Sequence, residues 1–167
     1  MNTTELETII RNILREQMMP TASQTQRNGI FQTVDDAVCA AHQAFLRFQQ
    51  CPLKTRSAII NAIREELSPR LTELAEESTI ETGMGNKEDK YLKNKAALDN
   101  TPGIEDLTTT ALTGDGGMVL FEYSPFGVIG SVTPSTNPTE TIINNSISML
   151  AAGNSVYFSP HPGAKNV

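Results

Sequence analysis

The sequence contains no tryptophan, and Phe and Tyr together make up only 5% of it, so an aromatic platform for stacking single-stranded nucleic acid is not available. Basic residues are also short: 13 Lys and Arg stand against 19 Asp and Glu, for a formal net charge of −6. With no Lys/Arg cluster to neutralise phosphates, general nucleic-acid binding is excluded. No apolar run approaches the roughly 20 residues of a membrane-spanning helix. Two cysteines, Cys39 and Cys51, and two distant histidines, His42 and His161, give neither a disulfide framework nor a CxxC motif. A zinc site needs three or four converging ligands, so no metal is expected. The first residues lack the basic segment and apolar core of a secretory signal, which makes a reducing, cytoplasmic setting the default expectation.

What is present is a 167-residue chain, 38% hydrophobic, enough for one packed domain. Residues 1–18 form a separate amphipathic element. Leu6, Ile9, Ile10, Ile13 and Leu14 recur at i, i+3, i+4, i+7 and i+8, one helical face. Residues 19–32 are polar and aperiodic and read as a linker. So short a helix is marginal alone in water. Its stripe therefore needs a surface, on its own domain or on a partner.

Residues 33–167 form the main body. Thr33 to Asp36 resembles a capping box, and Val38, Ala41, Phe45 and Phe48 mark one face of a helix ending before Pro52. A second helix starts near Leu53. A third follows Ser68-Pro69 and runs to Gly83. A fourth spans about Lys87 to Asn100, its charge run from Lys87 to Lys95 reading as a solvated face. Thr108 to Gly117, rich in Thr and Gly, reads as loop or irregular edge. Met118 to Tyr123 and Val128 to Val132 are strand-like, separated by the turn residues Ser124-Pro125-Phe126-Gly127. Thr139 to Ala152 is helical with Gly153 at its C′ position, and Asn154 to Phe158 is a further short strand. Strand, loop, helix and strand make one βαβ unit, the start of a parallel sheet. One such unit is not a finished sheet, so a truncated α/β chain is expected.

The loop Thr133-Pro134-Ser135-Thr136-Asn137-Pro138 joins a strand end to a helix start, the place where open α/β sheets bind ligands and where helix N–H groups face outward. An Asn amide there has two readings, a helix cap or a donor to a developing oxyanion. The second strand end, Ser159-Pro160-His161-Pro162, would line the same crevice.

Several of these segments, with Glu81-Thr82-Gly83-Met84-Gly85 and Ala151-Ala152-Gly153-Asn154-Ser155, resemble the CoA-acylating branch of the aldehyde dehydrogenase superfamily in order and spacing. The wider superfamily carries E-x-G-K, P-x-G-V, P-W-N-x-P, A-L-A-x-G-N and K-P-S-E at these places. The nearest resemblance is to members that use propionaldehyde in bacterial propanediol-utilisation microcompartments, and next to those that use acetaldehyde from ethanolamine. The resemblance implies a helical N-terminal region followed by the start of a Rossmann-like parallel sheet. It implies NAD as cofactor, coenzyme A as co-substrate, and conversion of propionaldehyde to propionyl-CoA through a cysteine thioester. The family's nucleophilic Cys lies beyond residue 167, so Cys39 and Cys51 are read as packing or surface residues.

Carried over by position, Thr133, Pro134, Ser135 and Thr136 flank the nicotinamide, and Asn137 is the oxyanion donor, one place after the superfamily Asn. Ser159 and His161 meet the adenosine ribose, with Ser in place of Lys. Met118 to Tyr123 matches an oligomerisation hairpin, implying self-association. Residues 1–18 resemble an encapsulation peptide, with Leu6, Ile9, Ile10, Ile13 and Leu14 docking on a microcompartment shell protein. The rival expectation is a non-catalytic cargo adaptor or an inactive remnant that keeps the targeting helix.

Overall fold

The computed structural model describes residues 29–167; the amphipathic stripe from Leu6 to Leu14 lies outside the described residues. By its internal contacts the chain divides into residues 1–40 and 41–167. Helix α1, Val34–Phe48, begins in the first unit. Its start is set by a reciprocal cap: the Asp36 N–H donates to Thr33 Oγ1 at 3.2 Å, and that hydroxyl donates to Asp36 Oδ2 at 2.8 Å.

Three further helices follow in the second unit: α2 (Leu53–Leu67), α3 (Leu71–Thr82) and α4 (Lys87–Asn100). A 3₁₀ turn at Ser68–Arg70 carries Pro69 between α2 and α3. Gly83, at φ 65°, ends α3 in the left-handed conformation that a side chain would disfavour. Asn86 starts α4 by accepting the Asp89 N–H at 2.8 Å.

Two strands come next, β1 (Thr110–Gly114) and β2 (Gly117–Phe121), antiparallel about the two-residue loop Asp115-Gly116. Thr108 to Gly117, read from sequence as loop, therefore contains a strand. Every residue of β1 and β2 is exposed, so the hairpin is held by its ladder and turn chemistry and buries no apolar face of its own.

The βαβ unit is β3 (Val128–Thr133), α5 (Pro138–Ala151) and β4 (Ser155–Pro160). β3 and β4 pair in parallel, Val128 opposite Ser155 through Thr133 opposite Pro160. The second strand runs two residues further than its sequence suggests, because the ladder carries it to Pro160. The unit opens at Asn154, whose Oδ1 accepts the N–H groups of Phe126 and Gly127 at 2.6 and 3.0 Å. Ser155 Oγ donates to the Ala41 carbonyl at 2.7 Å, joining β4 to the second half of α1.

One core serves the helices. Ile60 of α2, Leu71 of α3, Leu98 of α4 and Ile143, Ile147 and Ala151 of α5 form a single buried cluster. On its other side α5 meets the sheet through Asn145 Nδ2, which donates to Ser131 Oγ at 2.9 Å. Ile147 is fully buried, whereas Ile80 is 82% exposed. Replacing Ile147 with Ala should therefore lower stability by about 2–5 kcal/mol in urea unfolding, and Ile80→Ala by under about 0.5 kcal/mol. Equal effects of the two substitutions would contradict this placement of the core.

Candidate active site

The carboxyl ends of β3 and β4 lie side by side, and the loop from Thr133 to Pro138 leaves one of them to enter α5. Ser159 pairs opposite Val132, and the His161 N–H donates to the Thr133 carbonyl at 3.0 Å. The two segments singled out from the sequence thus meet at one crevice. Pro134, Thr136, Ser159 and His161 are exposed there, with Ser135 and Asn137 half-buried. Thr133 is different: it is 1% exposed, and its hydroxyl has no hydrogen-bond partner among the described residues.

His161 uses its ring locally. Nδ1 accepts the Gly163 N–H at 3.0 Å and caps the 3₁₀ turn Pro162–Ala164. Because Nδ1 is an acceptor, the neutral ring carries its proton on Nε2.

Asn137 occupies the N-cap position of α5, yet its side chain makes no capping bond. Its carbonyl accepts the Thr141 N–H at 3.2 Å and the Thr141 hydroxyl at 2.6 Å. Its side-chain Oδ1 instead accepts from Lys93 Nζ at 3.3 Å, and its Nδ2 reaches Thr136 Oγ1 only at the 3.5 Å limit. The Asn137 side chain therefore does not cap α5.

The neighbours that hold this loop are not evident from the sequence. α4 is not a uniformly solvated face: Lys90, Asn94 and Leu98 are its buried residues, at successive i+4 positions. Lys90 Nζ donates to the Thr136 carbonyl at 3.4 Å. Asn94 Oδ1 accepts from the Thr139 hydroxyl at 2.7 Å. The signal was present in the register, since Lys90 and Asn94 share a stripe with Leu98, but their polarity concealed it. Beside them is an open cleft of about 420 Å³ whose lining includes Lys93, Asn137, Glu140 and Asn144. Glu140 is 9% exposed, and its Oε1 has no partner.

Cys51 lies elsewhere. Its thiol faces the Arg47 carbonyl at 3.8 Å, in an apolar pocket that also borders Asn154 and Ser155. That is the starting end of β4, about 17 Å of strand from the end at Pro160.

Residues 15–166 match the aldehyde dehydrogenase family model. The chain belongs to the aldehyde dehydrogenase family. It is 82% identical over all of its residues to a propanal dehydrogenase (CoA-propanoylating) of Citrobacter freundii, of which it spans 36%. It is 79% identical over its whole length to the Salmonella typhimurium protein so described, spanning 37% of it. An acetaldehyde dehydrogenase (acetylating) of S. typhimurium is 46% identical over the whole chain, which spans 36% of that protein. The chain therefore spans about a third of the length of these aldehyde dehydrogenases.

Among solved structures, the propionaldehyde dehydrogenase of Rhodopseudomonas palustris, with bound CoA and an acylated cysteine, superposes with a TM-score of 0.81 at 52% identity. The match covers 84% of this chain and 33% of that one. An engineered glycolyl-CoA reductase with bound NADP+ gives 0.80 at 52% identity, over 83% and 32% of the two chains. A propionaldehyde dehydrogenase from a Clostridium phytofermentans fucose-utilisation microcompartment gives 0.78 at 48% identity, over 81% and 31%. The helical region followed by strands is thus the front of the aldehyde dehydrogenase fold. Among the described residues, no helix is long and apolar enough to cross a membrane, and no three His, Cys, Asp or Glu side chains gather as a metal site.

The family's E-x-G segment has a visible function in this fold. The Glu81 carboxylate, at the end of α3, accepts the N–H groups of Lys165, Asn166 and Val167 at 2.9–3.2 Å and the Asn166 amide at 2.7 Å. It thereby fastens the segment after β4 to the helical layer. Burial works to raise the pKa of Glu81, but these donors outweigh it and hold the group below its ordinary value. A carboxyl depressed by folding stabilises above its unfolded pKa and loses that contribution as pH falls through the folded one. The thermal midpoint of Glu81→Gln should accordingly trail the parent most at neutral pH, the gap narrowing below about pH 4. A gap that stays constant down to pH 3 would show that the charge is not what matters.

Proposed function

We propose that the whole enzyme to which this chain contributes is an NAD-dependent, CoA-acylating aldehyde dehydrogenase converting propionaldehyde to propionyl-CoA. The observation that carries this is the 82% identity, over every residue of the chain, to a propanal dehydrogenase (CoA-propanoylating), against 46% to an acetaldehyde dehydrogenase (acetylating). In this reading a cysteine outside residues 1–167 attacks the aldehyde carbon, and coenzyme A later takes the acyl group from that sulfur. A thiolate suits both steps, as nucleophile and as leaving group toward another thiol.

The residues at the crevice fit part of a dinucleotide site. Thr133, whose buried hydroxyl has no hydrogen-bond partner among the described residues, the exposed end of β4 and the start of the 14-residue α5 lie together at the carboxyl ends of the strands. Thr133, Pro134, Ser135 and Thr136 would border the nicotinamide end, with Ser159 and His161 toward the ribose. NAD, when bound, supplies the hydride acceptor.

Asn137 contributes an amide donor at the positive end of α5, where negative charge on the aldehyde oxygen is stabilised as the carbon becomes tetrahedral. In the whole enzyme, Asn137→Ala should lower kcat for propionaldehyde by about 10²–10³-fold, with a much smaller change in KM. Parent-like turnover would remove the donor role.

The stripe Leu6, Ile9, Ile10, Ile13 and Leu14 supports a second role for the same protein, placement inside a bacterial microcompartment through a shell protein. Deleting residues 1–18 should abolish co-purification with shells while leaving CoA-dependent activity within about twofold, since none of the proposed site residues lies in that segment. Shell association that survives the deletion would exclude this segment as the address.

A further inference from the structure

Three polar side chains of α4 hold three residues at the start of α5 in the same order along the chain. Lys90 binds the Thr136 carbonyl, Lys93 the Asn137 side-chain oxygen and Asn94 the Thr139 hydroxyl. Two of the three are buried, Lys90 at 3% and Asn94 at 0% exposure. Buried polar groups are kept where their partners are fixed, so this is a rigid attachment. Lys93 is the exception. It is exposed, carries none of the core, and spends its contact on the side chain of Asn137.

That contact decides which way the amide faces. An ammonium group can only donate, so the Asn137 atom turned to Lys93 must be the oxygen. The NH₂ group is then turned the other way. Its contact is with the Thr136 hydroxyl, which accepts it only at 3.5 Å. Without Lys93 the amide is free to rotate by 180° and present an acceptor instead, which would repel a negatively charged oxygen. A positive charge on Oδ1 also polarises the amide and strengthens its N–H groups as donors.

The geometry points to Lys93 as a positioning residue for the reaction, holding the Asn137 amide with its N–H groups toward the substrate oxygen. This rests on Asn137 being the oxyanion donor proposed above. Lys93 acts through Asn137, at an exposed site whose loss leaves the core intact.

The test is a double-mutant cycle in the whole enzyme, using Lys93→Met, Lys93→Arg, Asn137→Ala and the Lys93→Met/Asn137→Ala pair, with propionaldehyde, NAD and CoA. Lys93→Met should lower kcat by about tenfold with KM for propionaldehyde within about twofold, as expected for a group misaligned in the transition state. Lys93→Arg, which still donates to Oδ1, should recover most of that loss. In the Asn137→Ala background, Lys93→Met should have no further effect, since nothing remains to orient. Thermal midpoints within a few degrees of the parent would show that the variants fold. Parent-like kcat in Lys93→Met beside a crippled Asn137→Ala would overturn the positioning role and leave the Asn137 reading standing. Fully additive losses would also overturn it, because Lys93 would then act independently of Asn137. Parent-like kcat in Asn137→Ala would overturn both.

Discussion

The site depends on one constraint: α5 must be packed from two sides at once. Its apolar stripe of Ile143, Ile147 and Ala151 enters the helical core, while Asn145 reaches back to Ser131 on the sheet. A helix clamped in this way cannot roll about its axis without breaking one layer or the other, because close-packed interiors do not deform continuously. Its N-terminus, and with it Asn137, is therefore aimed by contacts about two to four turns away. The crevice inherits its geometry from the core.

The attachment of α4 to the same region is of a different kind. Hydrophobic burial is non-directional and sets where α5 lies, but it does not choose the orientation of a side-chain amide. Hydrogen bonds do, since donor and acceptor are not interchangeable. The Lys90, Lys93 and Asn94 contacts thus add direction to a position that packing has already supplied. Their cost is the burial of polar atoms, one of which, Asn94 Nδ2, has no partner among the described residues.

Much of the fold was legible in the sequence where local chemistry and tertiary packing agree. The span of α4, about Lys87 to Asn100, was read from the sequence, and Gly83 and Gly153 mark helix ends at φ 65° and 82°. β1 was not legible, since Thr110 to Gly114 has no buried face to impose a period of two. The Asp115-Gly116 pair beside it was the available sign, being a common two-residue hairpin loop. The crevice was legible as a place, because strand ends and loop residues can be counted. The buried face of α4 was not, because lysine and asparagine look alike in sequence whether they face water or a carbonyl.

The bond from Ser155 to the Ala41 carbonyl spans 114 residues of sequence, and the Glu81 clamp on Asn166 spans 85. Contacts this distant close a long loop, and their entropy must be met before they return any stability. The helices from α2 to α4 meet through far nearer neighbours. The crevice at the strand ends thus depends on contacts between segments far apart in the chain as well as on a local arrangement of side chains.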